Sequence, residues 1–171
     1  MKPIFTAAAV AACLAVAGSA SADVLTDQAS ITSDGQLFTF TFNGVGLSDG
    51  TDGTLVIDAL GDYSPVPPGF ERVDIDIDGV FTDFAFDPSR GGVVGNDLFQ
   101  NAAMQSYTVS GADLLAITSD GMVTITLQNA TAVNANNSNE DFIRATLTYA
   151  VPEPASLGLL GLAGLALVRR R

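Results

Sequence analysis

Residues 72–86 read RVDIDIDGVFTDFAF, and this stretch indicates the fold class because apolar and polar residues alternate along it. In an extended chain Val73, Ile75 and Ile77 fall on one face, and the intervening aspartates fall on the other. Asp78-Gly79 lies between two such runs and is a strong hairpin-turn signal. The stretch therefore predicts an antiparallel β-hairpin with one buried face and one acidic face.

The same period of two recurs on both sides of this hairpin. Strands are predicted at residues 37–42, 54–60, 71–80, 81–86, 104–109, 122–127 and 142–149. A short helix is predicted from an N-cap at Ser110 through Leu115 or Ile117. Seven or eight short strands with Gly, Asn and Asp turns predict an all-β fold, an antiparallel two-sheet sandwich of jelly-roll or Greek-key type with one short helix.

The composition limits the chemistry of this β-rich part. Residues 23–150 contain 18 acidic residues and three arginines, a net charge of −15, so we expect no nucleic acid partner. The chain has no histidine and one cysteine, Cys13, which excludes Ser-His-Asp and Cys-His catalysis and nearly all zinc and copper sites. We therefore expect a non-catalytic domain. A secreted glycan hydrolase that uses two carboxylates is the alternative, although no tryptophan is present to stack on a sugar.

Three acidic residues form a candidate site for a structural Ca²⁺. The run from Asp74 to Gly79 fits the first half of a D-x-D-x-D-G calcium loop, but Ala85 stands where that loop needs a bidentate glutamate. Asp62 and Glu71 flank a proline-rich loop, and together with Asp78 they resemble the calcium-binding edge of extracellular jelly-roll modules. The alternative is that these carboxylates form a solvated acidic face.

The N-terminus has the pattern of a secretory signal peptide. Lys2 precedes an apolar run at residues 4–17, and Ala20-Ser21-Ala22 is a small-x-small cleavage site. Signal peptidase is therefore expected to remove residues 1–22, so that the mature chain begins at Asp23. In the alternative, Val10-Ala11-Ala12-Cys13 is a lipoprotein box and Cys13 carries a lipid.

The C-terminal stretch Val151–Arg171 reads VPEPASLGLLGLAGLALVRRR. Its apolar run at residues 155–168 would span roughly 21 Å as a helix, against roughly 30 Å of membrane hydrocarbon. It predicts one short transmembrane helix that places Arg169, Arg170 and Arg171 in the cytoplasm and the bulk of the chain outside. The membrane-facing residues are Leu157, Leu159, Leu160, Leu162, Leu165, Leu167 and Val168.

Pro152-Glu153-Pro154, the short apolar run and the closing arginines together resemble the PEP-CTERM protein-sorting signal. The resemblance implies recognition by an exosortase, a membrane-embedded cysteine transpeptidase, and cleavage near the Pro-Glu-Pro. It also implies delivery to the cell surface or extracellular matrix of a bacterium that makes exopolysaccharide. The expected layout is a signal peptide at 1–22, a secreted β-sandwich at 23–150 and a sorting segment at 151–171. In the alternative, the tail is never cleaved and remains an anchor.

Overall fold

The computed structural model describes residues 20–63, 71–86, 101–135 and 141–153. In chain order these residues form β1 (Ala20–Ser30), β2 (Leu37–Asn43), β3 (Gly53–Gly61), β4 (Val73–Ile77), β5 (Phe81–Ala85), β6 (Asn101–Val109), α1 (Gly111–Ile117), β7 (Met122–Asn129) and β8 (Phe142–Pro152). The predicted β-rich class with one short helix is confirmed.

The hairpin predicted from residues 72–86 is present as β4 and β5, with Ile77 opposite Phe81. Asp78 and Gly79 both have positive φ, and the Val80 N–H donates to the Ile77 carbonyl at 2.9 Å, as in a type I′ turn. One detail of the prediction was wrong. The expected strand at 71–80 is shorter at both ends, so Asp78 belongs to the turn and not to the acidic strand face.

The strands pair as one long hairpin folded over on itself. β1 pairs with β8, β2 with β7, β3 with β6 and β4 with β5. Further pairing of β3 with β8 and of β4 with β7 produces the two antiparallel sheets, ordered β1-β8-β3-β6 (sheet A) and β2-β7-β4-β5 (sheet B). This nested order is the connectivity of an eight-stranded jelly roll.

Inward-facing side chains from both sheets form one apolar core. The side chains at most 4% exposed on sheet A are Leu55, Ile57, Ala59, Ala103, Val109, Ile143, Ala145, Leu147 and Tyr149, and those on sheet B are Phe38, Phe40, Val73, Ile75, Ile77, Ala85, Val123, Ile125 and Leu127. Each buried valine, leucine, isoleucine or phenylalanine side chain contributes about 1.5–3 kcal/mol by leaving water, so this core is the main source of stability.

Two side chains of β6 pair with the free edge of β5. The Tyr107 hydroxyl donates to the Phe84 carbonyl at 2.8 Å, and the Phe86 N–H donates to Gln105 Oε1 at 2.8 Å. Both backbone groups point away from β4, towards β6. These bonds connect the two sheets along one side and protect an edge that could template aggregation.

The predicted N-cap of α1 is confirmed. Ser110 Oγ accepts from the Asp113 N–H at 3.2 Å, and Leu114 and Ile117 face the core. Gly111, the first helical residue, is also buried, and its N–H donates to Asp52 Oδ1 at 2.9 Å. The helix therefore packs closely on the loop that leads into β3.

Strand β1 was not among the predicted strands. It is an edge strand, and among its described side chains the one buried apolar residue is Leu25, at 9% exposed, whereas Val24 is 53% exposed. A weak alternation of this kind gives little sequence signal, because edge strands bury little of either face. The strand begins at Ala20, three residues before the expected mature N-terminus at Asp23.

Candidate functional site

Strand β8 runs into the Pro-Glu-Pro motif, of which Pro152 is the last strand residue and Glu153 follows directly. Up to Thr148 the strand lies between β1 and β3. Beyond it, residues 149–152 pair with β1 alone, and on the other side the Asp49 N–H donates to the Ala150 carbonyl at 2.9 Å. The start of the motif is therefore held in a sheet mainly by the first residues of β1.

The residues of the predicted signal-peptidase site are the strand partners of this segment. Ala20 lies opposite Pro152, Ser21 opposite Val151 and Ala22 opposite Ala150. The next pair joins Asp23 to Tyr149, whose hydroxyl lies 3.1 Å from Asp23 Oδ2 and 2.9 Å from the Gly46 carbonyl. Burial and then the Asp23 carboxylate raise the pKa of Tyr149. The structure thus brings the two predicted processing sites side by side.

The rest of the predicted tail lies outside the described residues. This applies to Pro154, to the apolar residues Leu157, Leu159, Leu160, Leu162, Leu165, Leu167 and Val168, to Arg169, Arg170 and Arg171, and also to the apolar run at residues 4–17. No helix within the described ranges is long and apolar enough to span a membrane.

The three carboxylates of the predicted calcium site do not meet. Asp62 is 5% exposed and accepts a hydrogen bond from Asn134 Nδ2 at 3.0 Å. Glu71 precedes β4 and Asp78 follows it, which places them roughly 20 Å apart along an extended chain. Within the ranges that the structure describes, no three metal-ligating side chains are grouped to hold an ion. This corrects the Asp62, Glu71 and Asp78 set, because β4 separates Glu71 from Asp78.

Asp78 instead extends the pairing of β4 with β7. Its N–H donates to the Thr124 carbonyl at 3.2 Å, and its carboxylate accepts from the Thr124 N–H at 3.1 Å. Partial burial, followed by the charges of Asp120 and Asp76, raises the pKa of Asp78 despite this hydrogen bond. The charged form of Asp78 is therefore less favourable in the folded protein than it is in water.

Replacing Asp78 with asparagine is expected to stabilise the protein slightly at pH 7. A raised folded-state pKa favours folding at low pH and loses that contribution as the pH rises through it. Asparagine keeps a hydrogen-bond acceptor for the Thr124 N–H and tolerates positive φ. Because solvent screens the carboxylate charge at this exposed site, the gain in the free energy of unfolding is up to roughly 0.5 kcal/mol at pH 7, and it vanishes near pH 3. Thermal melts at both pH values measure it. Asp74→Asn, which loses the Arg72 ion pair at 3.0 Å, is the matched control and should show no gain.

A buried polar cluster at one end of the sandwich was not predicted. The Tyr63 hydroxyl donates to Asn129 Oδ1 at 3.1 Å, and both residues are at most 1% exposed. Burial raises the pKa of Tyr63, so the phenol stays neutral. The hydrogen bond to Asn129 opposes this rise, and the charge of Asp141 adds to it. Tyr63 also packs edge-on against Phe86, with ring centroids 5.0 Å apart. These contacts fix the Tyr63 side chain within the core. The sequence signal is Asn129 at an inward position of β7.

The outer faces of the two sheets differ in charge. Among the described residues, the outer face of sheet A carries one aspartate and one arginine, and these two, Asp58 and Arg144, form an ion pair. The rest of that face is uncharged and rich in hydroxyls, with Thr26, Thr54, Ser106, Thr108, Thr146 and Thr148 in adjacent rows. The outer face of sheet B also carries threonines, among them Thr39, Thr41, Thr124 and Thr126, but it adds Asp74 and Asp76.

Comparison with known proteins identifies the tail. The PEP-CTERM protein-sorting motif is matched at residues 150–171. The chain therefore carries the signal of an exported, exosortase-sorted protein that is anchored transiently in the membrane and then displayed at the cell surface. No curated protein matches the chain. One solved structure, a family GH115 4-O-methyl-α-glucuronidase with specificity for decorated arabinogalactans, matches at 11% identity and a TM-score of 0.38. The match covers 71% of this chain and 14% of the glucuronidase chain.

Proposed function

We propose that this chain delivers a non-catalytic jelly-roll domain to the extracellular matrix, where the domain associates with exopolysaccharide. Signal peptidase removes residues 1–22, the C-terminal apolar run holds the chain in the membrane, and the exosortase then separates the domain from the tail. The observation that carries the proposal is the PEP-CTERM motif, which begins at the last strand of the folded domain.

Two features of the domain support association with a neutral glycan. The strongly acidic composition disfavours anionic partners, and the hydroxyl-rich outer face of sheet A is the less charged of the two faces. Threonine and serine hydroxyls both donate and accept hydrogen bonds, as sugar hydroxyls do, without the desolvation cost of a charge. We therefore assign the glycan contact to this face.

A negative charge on this face is expected to weaken the association. Thr54→Glu places a carboxylate between Thr108 and Thr148 on the outer face of sheet A. It should lower cosedimentation with the purified exopolysaccharide of the producing strain by about fivefold, roughly 1 kcal/mol. Thr39→Glu, at an exposed strand position on sheet B, is the matched control and should leave cosedimentation unchanged. An equal loss in both variants would show that added negative charge weakens binding wherever it is placed. That result would contradict the assignment of the glycan contact to sheet A.

The two remaining alternatives have separate tests. A carboxylate-based hydrolase would release new reducing ends from the polysaccharide, whereas the proposed domain releases none. An uncleaved anchor would leave Arg171 on the protein recovered from the cell surface, whereas sorting removes it.

A further inference from the structure

The backbone of Val151 faces Ser21. In an antiparallel strand the N–H and C=O of one residue point to the same side, and those of the next residue point to the other. The Ala150 carbonyl accepts from Asp49, on the side where β3 pairs with the earlier part of β8. Val151 therefore directs its N–H and C=O towards β1, where Ser21 is its partner.

Signal-peptide removal would take this partner away. Cleavage after Ala22 removes the residues opposite Ala150, Val151 and Pro152, and the remaining ladder ends at the pair of Asp23 and Tyr149. The Asp23 side chain stays in place through its contact with the Tyr149 hydroxyl. The segment just ahead of the sorting motif thus changes from a paired strand into a strand with a free edge.

We propose that removal of residues 1–22 exposes the Val151 edge and that the exosortase binds this edge as an added β-strand. The proposal rests on the proposed function, because it needs both processing steps. Strand addition requires unpaired N–H and C=O groups on the recognised peptide, and Val151 supplies one of each once Ser21 has left. N-terminal cleavage then comes before C-terminal cleavage, so that only exported chains become substrates.

The test compares three secreted forms of the full chain in the producing strain. The first form is natural. The second form repeats residues 20–22: residues 1–22 are followed directly by residues 20–171, with Ala22→Val in the repeated copy. Signal peptidase then cleaves between the two copies, and the strand partners of Ala150–Pro152 remain on the chain. The third adds Ser21→Pro to that retained copy, because proline has no N–H to donate and disfavours the ladder. N-terminal sequencing verifies each start.

Pulse-chase measurement of tail removal is the main readout. We expect removal to be at least about fivefold slower in the second form than in the first and to recover in the third. Hydrogen exchange at the Val151 amide, measured on the three precursors from an exosortase-deficient strain, should be at least about tenfold faster in the first and third forms, since frayed strand ends open readily. Equal tail removal in the first two forms overturns the inference, whatever the exchange rates. Absence of tail removal in every form overturns the proposed function instead.

Discussion

Cells that express the P152A/E153A/P154A variant are expected to retain the protein in the membrane fraction with its tail intact, and surface release should fall at least about tenfold. Each proline fixes φ and lacks an N–H, so β8 ends at Pro152 and Glu153 lies outside the strand. With alanine, the strand can continue and the recognised peptide is lost. Fractionation and immunoblotting measure the effect.

The matched control changes the same residue types away from the tail. In P67A/P68A/E71A two prolines and one glutamate are replaced, two of them in the proline-rich loop, and release should remain within about twofold of the natural protein. If the tail variant were released as efficiently as this control, the Pro-Glu-Pro would not be the recognised element.

Gly111→Ala is expected to destabilise the domain by more than about 4 kcal/mol, which is a large part of the 5–15 kcal/mol that stabilises a typical domain. A Cβ at this position would lie 1.8 Å from the Gly50 carbonyl oxygen and 2.5 Å from the Gly50 carbonyl carbon. Both atoms are backbone, so no side chain can move aside to relieve the clash. The melting temperature should fall by about 15 °C or more.

Gly44→Ala is the control for loss of glycine flexibility without a clash. Gly44 has φ of +71°, and no atom lies within 4 Å of an added Cβ. Only the left-handed backbone conformation is disfavoured, at about 1 kcal/mol. If both variants lost the same small amount, the packing of α1 against the loop before β3 would be looser than described.

The fold follows from the sequence where burial alternates strongly. Val73, Ile75 and Ile77 have alternating acidic neighbours, and the hairpin appears where the pattern places it. Ser110 was identified as a cap because its hydroxyl can accept from an N–H at the helix start. Local pattern and local chemistry were sufficient for these elements.

The candidate site beside the Pro-Glu-Pro motif depends on which strands pair, and the sequence pattern does not show this. β1 gave little signal because an edge strand buries few side chains, so the contact between Ser21 and Val151 could not be predicted. The calcium set failed for a different reason, since Glu71 and Asp78 lie at opposite ends of one strand, which the predicted strand at 71–80 already implied. The tail is different, because the Pro-Glu-Pro motif, the apolar run and the arginines are contiguous and need no tertiary structure to be recognised.

The most direct test of the sorting account is the intact mass of the protein released from the cell surface. The account predicts a chain that begins at Asp23 and ends close to Pro152-Glu153-Pro154, without the apolar run and without Arg169, Arg170 and Arg171. A surface-released chain whose mass includes Arg171 would contradict it.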